Sequence, residues 1–246
     1  MPVRRQPPAP HPGGERQEVA LGAGRATVAT RYAASGATGV SSGATLLVLA
    51  HGAGAGQHHP FMTAMAARLA ARGVHVVTFD FPYIHEGRKV PDRAPALEAC
   101  FAAVADWAVA TQDAPVARLM LGGKSMGGRM ATHLGAAGFS ALNGAGPRLA
   151  GLVALGYPLH PPGRPDQLRD AHLPAIAAPV LIVQGSRDTF GTPDELRPVI
   201  ESMTAPVTLH VVAGGDHSFT VSRHPKDAVL SAVADVIAAW AVSSIV

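Results

Sequence analysis

At 246 residues, 48% hydrophobic and 15% charged, the chain is long enough to bury a large core without disulfides or structural metal. Lys plus Arg number 20 against 17 for Asp plus Glu, and no basic block runs past Arg4-Arg5 in length, which excludes a nucleic-acid-binding stripe. A single cysteine, Cys100, excludes an internal disulfide and a cysteine-based zinc site, and no apolar run reaches the roughly 18 residues of a membrane span.

Residues 1–17, MPVRRQPPAPHPGGERQ, carry cations but no apolar stretch, so they read as a flexible leader and not a signal peptide. Residues 18–32 alternate loosely and predict two short strands in a hairpin split at Gly22-Ala23-Gly24; residues 33–43 are a small-residue loop. From there two periods take turns. The apolar run 46–50 predicts a buried strand, followed by a Gly-rich turn and a helix over 60–72. Residues 74–81 predict a strand and 95–111 a helix with apolar spacing near 3.6. Cys100 falls in that helix, where a free thiol behaves as a small core hydrophobe. A strand at 119–121 leads to a helix over 126–137. Strands at 149–155 and 179–184 follow, then a helix over 193–203, a strand at 207–212 and a last helix over 225–243. Asp235 and Ser231 mark that last segment as a core-packed helix and not a span.

Strands that alternate with helices and read as uninterrupted apolar runs predict a mostly parallel sheet covered on both faces. The absence of a repeat or internal linker predicts one α/β domain over residues 18–246. Ligands in such sheets bind beyond the carboxyl ends of the strands, so the residues there carry the functional reading.

After the strand ending at Leu121 comes Gly122-Gly123-Lys124-Ser125-Met126-Gly127-Gly128-Arg129. Gly123-x-Ser125-x-Gly127 fits a nucleophile elbow, in which a serine on a tight strand-to-helix turn projects above the sheet. A second match, Gly39-Val40-Ser41-Ser42-Gly43, has no strand before it and no helix after it. A serine hydroxyl needs a base to take its proton, and the elbow predicts the chain order Ser…Asp/Glu…His. Asp188 stands after the 179–184 strand and His217 after the 207–212 strand. Asp188 would orient the imidazole, and His217 would act as base and then acid. Asp80 precedes the serine, the wrong order; Asp216 reads as a loop hydrogen-bonder and Asp194 as a helix start. The turn His51-Gly52-Ala53-Gly54-Ala55-Gly56 lacks the Lys-Ser/Thr of a phosphate loop. Its expected part is an oxyanion hole, with Met126 giving one amide and Ala53 the other, Gly54 being the next candidate for that second amide and a substrate-binding position. His51, His58, His59, His85 and His160 also fall near strand ends, with no metal-ligand spacing among them, and read as polar residues of the mouth.

GKSMGGR, QGSRDTFG, GGDHSF and HGAGAG together resemble an α/β-hydrolase. Two further stretches, Phe79-Asp80-Phe81-Pro82-Tyr83 running to Pro91 and Leu155-Gly156-Tyr157-Pro158-Leu159-His160-Pro161-Pro162-Gly163, are similar to the small capless dienelactone-hydrolase-like family that includes testis-expressed and NSL-complex hydrolase-like proteins. The resemblance spans roughly residues 44–243. It implies an α/β-hydrolase fold and a Ser-Asp-His triad at Ser125, Asp188 and His217. True dienelactone hydrolases carry a nucleophilic cysteine where this chain has Ser125.

Residues 156–179 leave room for one short helix near 167–171 and none for a separate lid, so the site is expected to be open. Tyr83 is expected to bind substrate at the mouth, with His85 and Arg88 nearby. The reading is a cytoplasmic serine esterase acting on small carboxylic esters, with no cofactor, no metal, no nucleic acid and no membrane partner, a homodimer being left open. Thioester hydrolysis, cofactor-free haloperoxidation and a non-catalytic scaffold on the same fold are the alternatives.

Overall fold

The computed structural model describes residues 14–35 and 43–243. The second serine pentapeptide apart from Gly43, most of the leader and most of the 33–43 loop lie outside them.

The chain opens with β1 (Glu15–Gly22) and β2 (Arg25–Tyr32), an antiparallel hairpin. Its turn needs left-handed backbone at Gly22, Ala23 and Gly24, with φ of 82°, 49° and 73°. Glycine meets that demand without steric cost. Residues 15–17 belong to β1, so the expected leader is three residues too long at its end.

Next come β3 (Ala44–Ala50), α1 (Pro60–Ala70), β4 (His75–Phe79) and a four-residue helix, α2 (Pro82–His85). Then α3 (Ala94–Ala110), β5 (Val116–Lys124), α4 (Met126–Ala136) and β6 (Leu149–Leu155) follow. The chain closes with β7 (Val180–Gly185), α5 (Pro193–Glu201), β8 (Val207–Val212) and α6 (Lys226–Ser243). The strand order is β1-β2-β4-β3-β5-β6-β7-β8. The pairs from β4 onward are parallel and β2 alone runs against its two neighbours.

The apolar strands feed two cores at once. In β3, Leu46, Val48 and Ala50 face one core while Leu47 and Leu49 face the other. Strands β6 and β7 split in the same way, Leu152 and Ile182 to one side, Val153 and Leu181 to the other. Because successive side chains point to opposite faces, a strand covered on both sides has no polar alternation. Helices α3, α4 and α5 cover the first face through Phe101, Met130 and Leu196; α1 and α6 cover the second through Met65, Leu69, Val233 and Ile237. Cys100 is buried in the first core, and burial pushes its thiol up to about 12.

Two helix starts, those of α5 and α1, are capped by side chains. Thr192 accepts from the Glu195 amide at 3.3 Å and the Glu195 carboxylate accepts from the Thr192 amide at 2.7 Å, a capping box. Pro60 opens α1, and His59 Nδ1 accepts from the Phe61 amide at 3.2 Å.

Residues 156–179 hold turns and a single 3-10 turn, Leu173–Ala175, and not the helix expected at 167–171. Tyr157 and Leu159 are buried in the first core, so the segment lies down on the molecule and forms no lid.

Candidate active site

The carboxyl ends of β3, β5, β7 and β8 converge on Ser125. Ser125 joins β5 directly to α4 with φ 52° and ψ −115°, a left-handed conformation that costs a residue with a Cβ about 1–3 kcal/mol. Its amide donates to the Leu155 carbonyl at 2.9 Å and its carbonyl accepts from the Arg129 amide at 3.0 Å, so the neighbouring strand and the helix hold the turn. A Cβ at Gly123 would run into the backbone of Gly127, Gly128 and Ala50; one at Gly127 would run into the backbone of Ala50 and His51. The pentapeptide glycines are therefore the condition for α4 to start this close to β3 and β5.

The loop after β8 delivers His217. Asp216 shapes it, its carboxylate accepting from the Ser218 and Thr220 amides at 2.8 Å each. His217 Nε2 lies 2.9 Å from Ser125 Oγ, and Nδ1 lies 2.8 Å from Asp188 Oδ2. A carboxylate only accepts, so Nδ1 carries the proton and Nε2 is left to accept from the serine hydroxyl. The Asp188 side chain is fully buried. Its Oδ1 accepts from the Phe190 amide at 2.9 Å and its Oδ2 from Gln184 Nε2 at 3.0 Å.

Two supports escaped the sequence reading. Gln184, the penultimate residue of β7, is fully buried. Besides Asp188, its side chain donates to the Gly191 carbonyl at 2.7 Å and accepts from the Tyr157 amide at 2.8 Å. Phe190 lays its ring 4.2 Å from the His217 ring, tilted by 31°. The signal for Gln184 was weak, a lone polar residue closing an apolar strand. Phe190 had none beyond its place two residues after Asp188.

Two cavities meet at Ser125, and Ala53 and Phe190 line both. One, about 260 Å³, runs past His217, His59 and Phe61; the other, about 310 Å³, runs past Met126, Leu97 and Pro158. Met126 opens α4, and an amide in a first helical turn has no partner within its helix. Gly52 sits against the Lys124 carbonyl and Ser125 Cβ, which brings the turn after β3 up to the serine.

Other expected residues stand elsewhere. Tyr83 is fully buried and lines neither cavity. Pro82 starts α2, which turns the phenol inward to an edge contact with His51, ring centroids 6.0 Å apart. Burial pushes its hydroxyl up to about 12. Gly54 lies outside both cavity linings; its φ of 73° in an open position shows that the turn needs its conformation and not its lack of bulk. His51 is no mouth residue. It is fully buried, with Nδ1 2.8 Å from the Gly52 carbonyl and Nε2 accepting from the Phe81 amide at 3.0 Å. Burial lowers its pKa, so a neutral ring pins the turn to the end of β4. His160 is likewise buried. Asp80 holds the same turn from behind, accepting from the Gln57 amide at 2.8 Å and Gln57 Nε2 at 3.1 Å. Among the described residues, no three His, Cys, Asp or Glu side chains gather in a metal-binding group.

Lys124 adds an unusual charge. Its Nζ is buried without a hydrogen-bond partner, 5.9 Å from the Phe61 ring and 5.6 Å from the Phe219 ring. Burial brings its pKa down to about 8, against the pull of Asp188 and Asp216.

Known structures share this architecture. An α-β serine hydrolase homologue from Coxiella burnetii superposes with a TM-score of 0.69 at 17% identity, over 94% of this chain and 99% of that one. A dienelactone hydrolase from Anabaena variabilis gives 0.69 at 20% identity, over 92% and 95%. A serine hydrolase without a lid from Xanthomonas campestris gives 0.63 at 17%, over 97% and 96%. At these identities the likeness establishes the α/β-hydrolase fold. The sequence itself matches the family described as alpha/beta hydrolase domain over residues 43–242, and with most of its length inside that match the chain belongs to that family.

Proposed function

We propose that the protein is a serine hydrolase that cleaves small carboxylic esters through an acyl-enzyme. The observation that carries the proposal is the unbroken chain from Ser125 Oγ through His217 to Asp188, at 2.9 and 2.8 Å. In the first half-reaction Ser125 Oγ bonds to the ester carbonyl carbon while His217 Nε2 takes the hydroxyl proton. The amides of Met126 and Ala53 stabilise the oxyanion; one such donor is worth about 3–4 kcal/mol of transition-state stabilisation. His217 then hands the proton to the departing alcohol, and water repeats the sequence on the acyl-enzyme. Asp188 keeps the proton on Nδ1 and balances the imidazolium that forms.

The neighbours named as serine hydrolases and as a dienelactone hydrolase support hydrolysis at this site, and Ser125 in place of a cysteine favours simple esters over dienelactone. The motifs around residues 79–91 and 155–163 support a place beside the testis-expressed and NSL-complex hydrolase-like proteins. Thioesters present the same carbonyl chemistry and are the second substrate class to assay.

The test is a burst assay with p-nitrophenyl acetate, butyrate and octanoate on the wild type and on Ser125→Ala. The expected result is a stoichiometric burst in the wild type that the alanine variant lacks. Equal slow release by both proteins would contradict the proposal and favour a binding module on a hydrolase fold.

A further inference from the structure

The two cavities at Ser125 are not equivalent. His217 must reach the leaving oxygen to protonate it, so the alcohol departs into the cavity that His217 lines. The acyl chain is left with the other, the one lined by Met126. Arg129 of α4 and Arg169 of the 156–179 segment both line this acyl cavity. Both are half-buried. Arg129 Nε is buried with no hydrogen-bond partner. Among the described residues neither guanidinium is in an ion pair. Arg169 gives one N–H to the Pro158 carbonyl at 3.3 Å. Its backbone is tied on both sides, donating to the Leu159 carbonyl at 2.8 Å and accepting from the buried Tyr157 hydroxyl at 2.6 Å. The one carboxylate lining the cavity, Asp92, has both oxygens taken by Arg88, at 2.8 and 3.0 Å.

Two half-desolvated guanidinium groups thus share a cavity whose one carboxylate is already paired elsewhere. Burial first, and then the charge of Arg129, lowers the pKa of Arg169. Such an arrangement is relieved by a ligand anion, and guanidinium matches a carboxylate through paired N–H donors.

We propose, resting on the serine-hydrolase reading above, that Arg129 and Arg169 bind a carboxylate at the far end of the acyl chain, so that the preferred substrates are half-esters of short dicarboxylic acids. The covalent chemistry is unchanged. Ser125 Oγ bonds to the ester carbonyl, the alcohol leaves with the proton from His217, and water releases the dicarboxylate while the distal carboxylate takes no part in bond making.

The test compares the p-nitrophenyl half-esters of succinate, glutarate and adipate with neutral p-nitrophenyl esters of matched length. A charge-assisted pair predicts that wild type prefers the best half-ester about tenfold or more in kcat/KM. The preference should shrink in high salt, fall to near unity in Arg129→Gln or Arg169→Gln, and return in part in Arg169→Lys. Thermal unfolding confirms that each variant is folded; the Tyr157 bond holds the backbone of Arg169 and not its side chain, so the fold should survive. A wild-type ratio near unity, with Ser125 still labelled by a fluorophosphonate, overturns the anion site and leaves the hydrolase reading intact. If no ester turns over, calorimetric titration of Ser125→Ala with glutarate decides. Saturable binding that is lost when Arg169→Gln is added supports the site, and no binding overturns it.

Discussion

Gln184 shows how much of the site depends on a residue that touches no substrate. Its side chain joins the Asp188 carboxylate, the Tyr157 amide and the Gly191 carbonyl. Gln184→Met keeps the volume but leaves the Tyr157 N–H buried and unpaired, a loss of about 2–3 kcal/mol. It also frees Asp188 to shift, which should lower kcat/KM about 10- to 100-fold; urea unfolding and steady-state kinetics check the two parts. Lys124 is the opposite case, a buried polar group with no partner. Its ammonium has a pKa near 8 against 10.5 for a free lysine, so between those values the unfolded chain binds more protons. Wild-type stability should therefore rise as pH climbs from about 8 to about 10.5. Lys124→Met should be more stable than wild type at pH 7, by about 1–3 kcal/mol, with the gain shrinking toward pH 10.5. Thermal unfolding of both proteins across that range checks it, and a constant difference would contradict a titrating Lys124. The sequence displayed Ser125, Asp188 and His217 because each stands after a strand at a fixed place in a known order. It hid Gln184 and misplaced Tyr83 because side-chain direction at the end of a strand is set by the next element, and Pro82 turns the chain into a helix too short to leave a periodic signature.

At the scale of elements, the elbow is a junction that only glycine permits. The expected outcome for Gly127→Ala is a loss of more than about 3 kcal/mol, because the new Cβ meets the backbone of Ala50 and His51, which cannot move without pulling β3. Gly138, after α4, has φ of 71° with nothing near its missing Cβ, so Gly138→Ala should cost only about 1 kcal/mol. Denaturant titration of the pair separates the contact from the conformation. The long elements were readable because their apolar period is sustained. Strands β6 and β8 fall on the expected residues, and α3, α4 and α6 within a residue at each end. The exceptions are α2 and the turns of 156–179, which are short or proline-bound so that local geometry outweighs pattern, and β5, whose nine residues Val116–Lys124 outrun the expected 119–121 by three at each end.

For the molecule as a whole, the strand order β1-β2-β4-β3-β5-β6-β7-β8 decides where the chemistry sits, and periodicity carried none of it. Alternation implied a sheet with two covered faces, and the Gly22-Ala23-Gly24 turn implied a hairpin; nothing said that β2 also pairs antiparallel with β4 or that β4 lies outside β3. The placement matters because β3, in mid-sheet, brings the turn with Ala53 alongside β5 and Ser125. Residues 156–179 lie down on the first core through Tyr157 and Leu159, leaving no lid to open at a lipid surface. The rate on tributyrin should accordingly rise smoothly through its solubility limit. A sharp jump there would reveal a closing element that this fold does not contain.

Everything proposed for this protein turns on Ser125 being a nucleophile activated by His217. The most direct measurement is the intact mass of the protein after brief exposure to a fluorophosphonate, with the modified peptide sequenced, in wild type, His217→Ala and Ser125→Ala. The expected result is one adduct per chain on Ser125 in the wild type, slowed by orders of magnitude without His217 and absent without Ser125. Labelling at another residue, or equal labelling with and without His217, would contradict it.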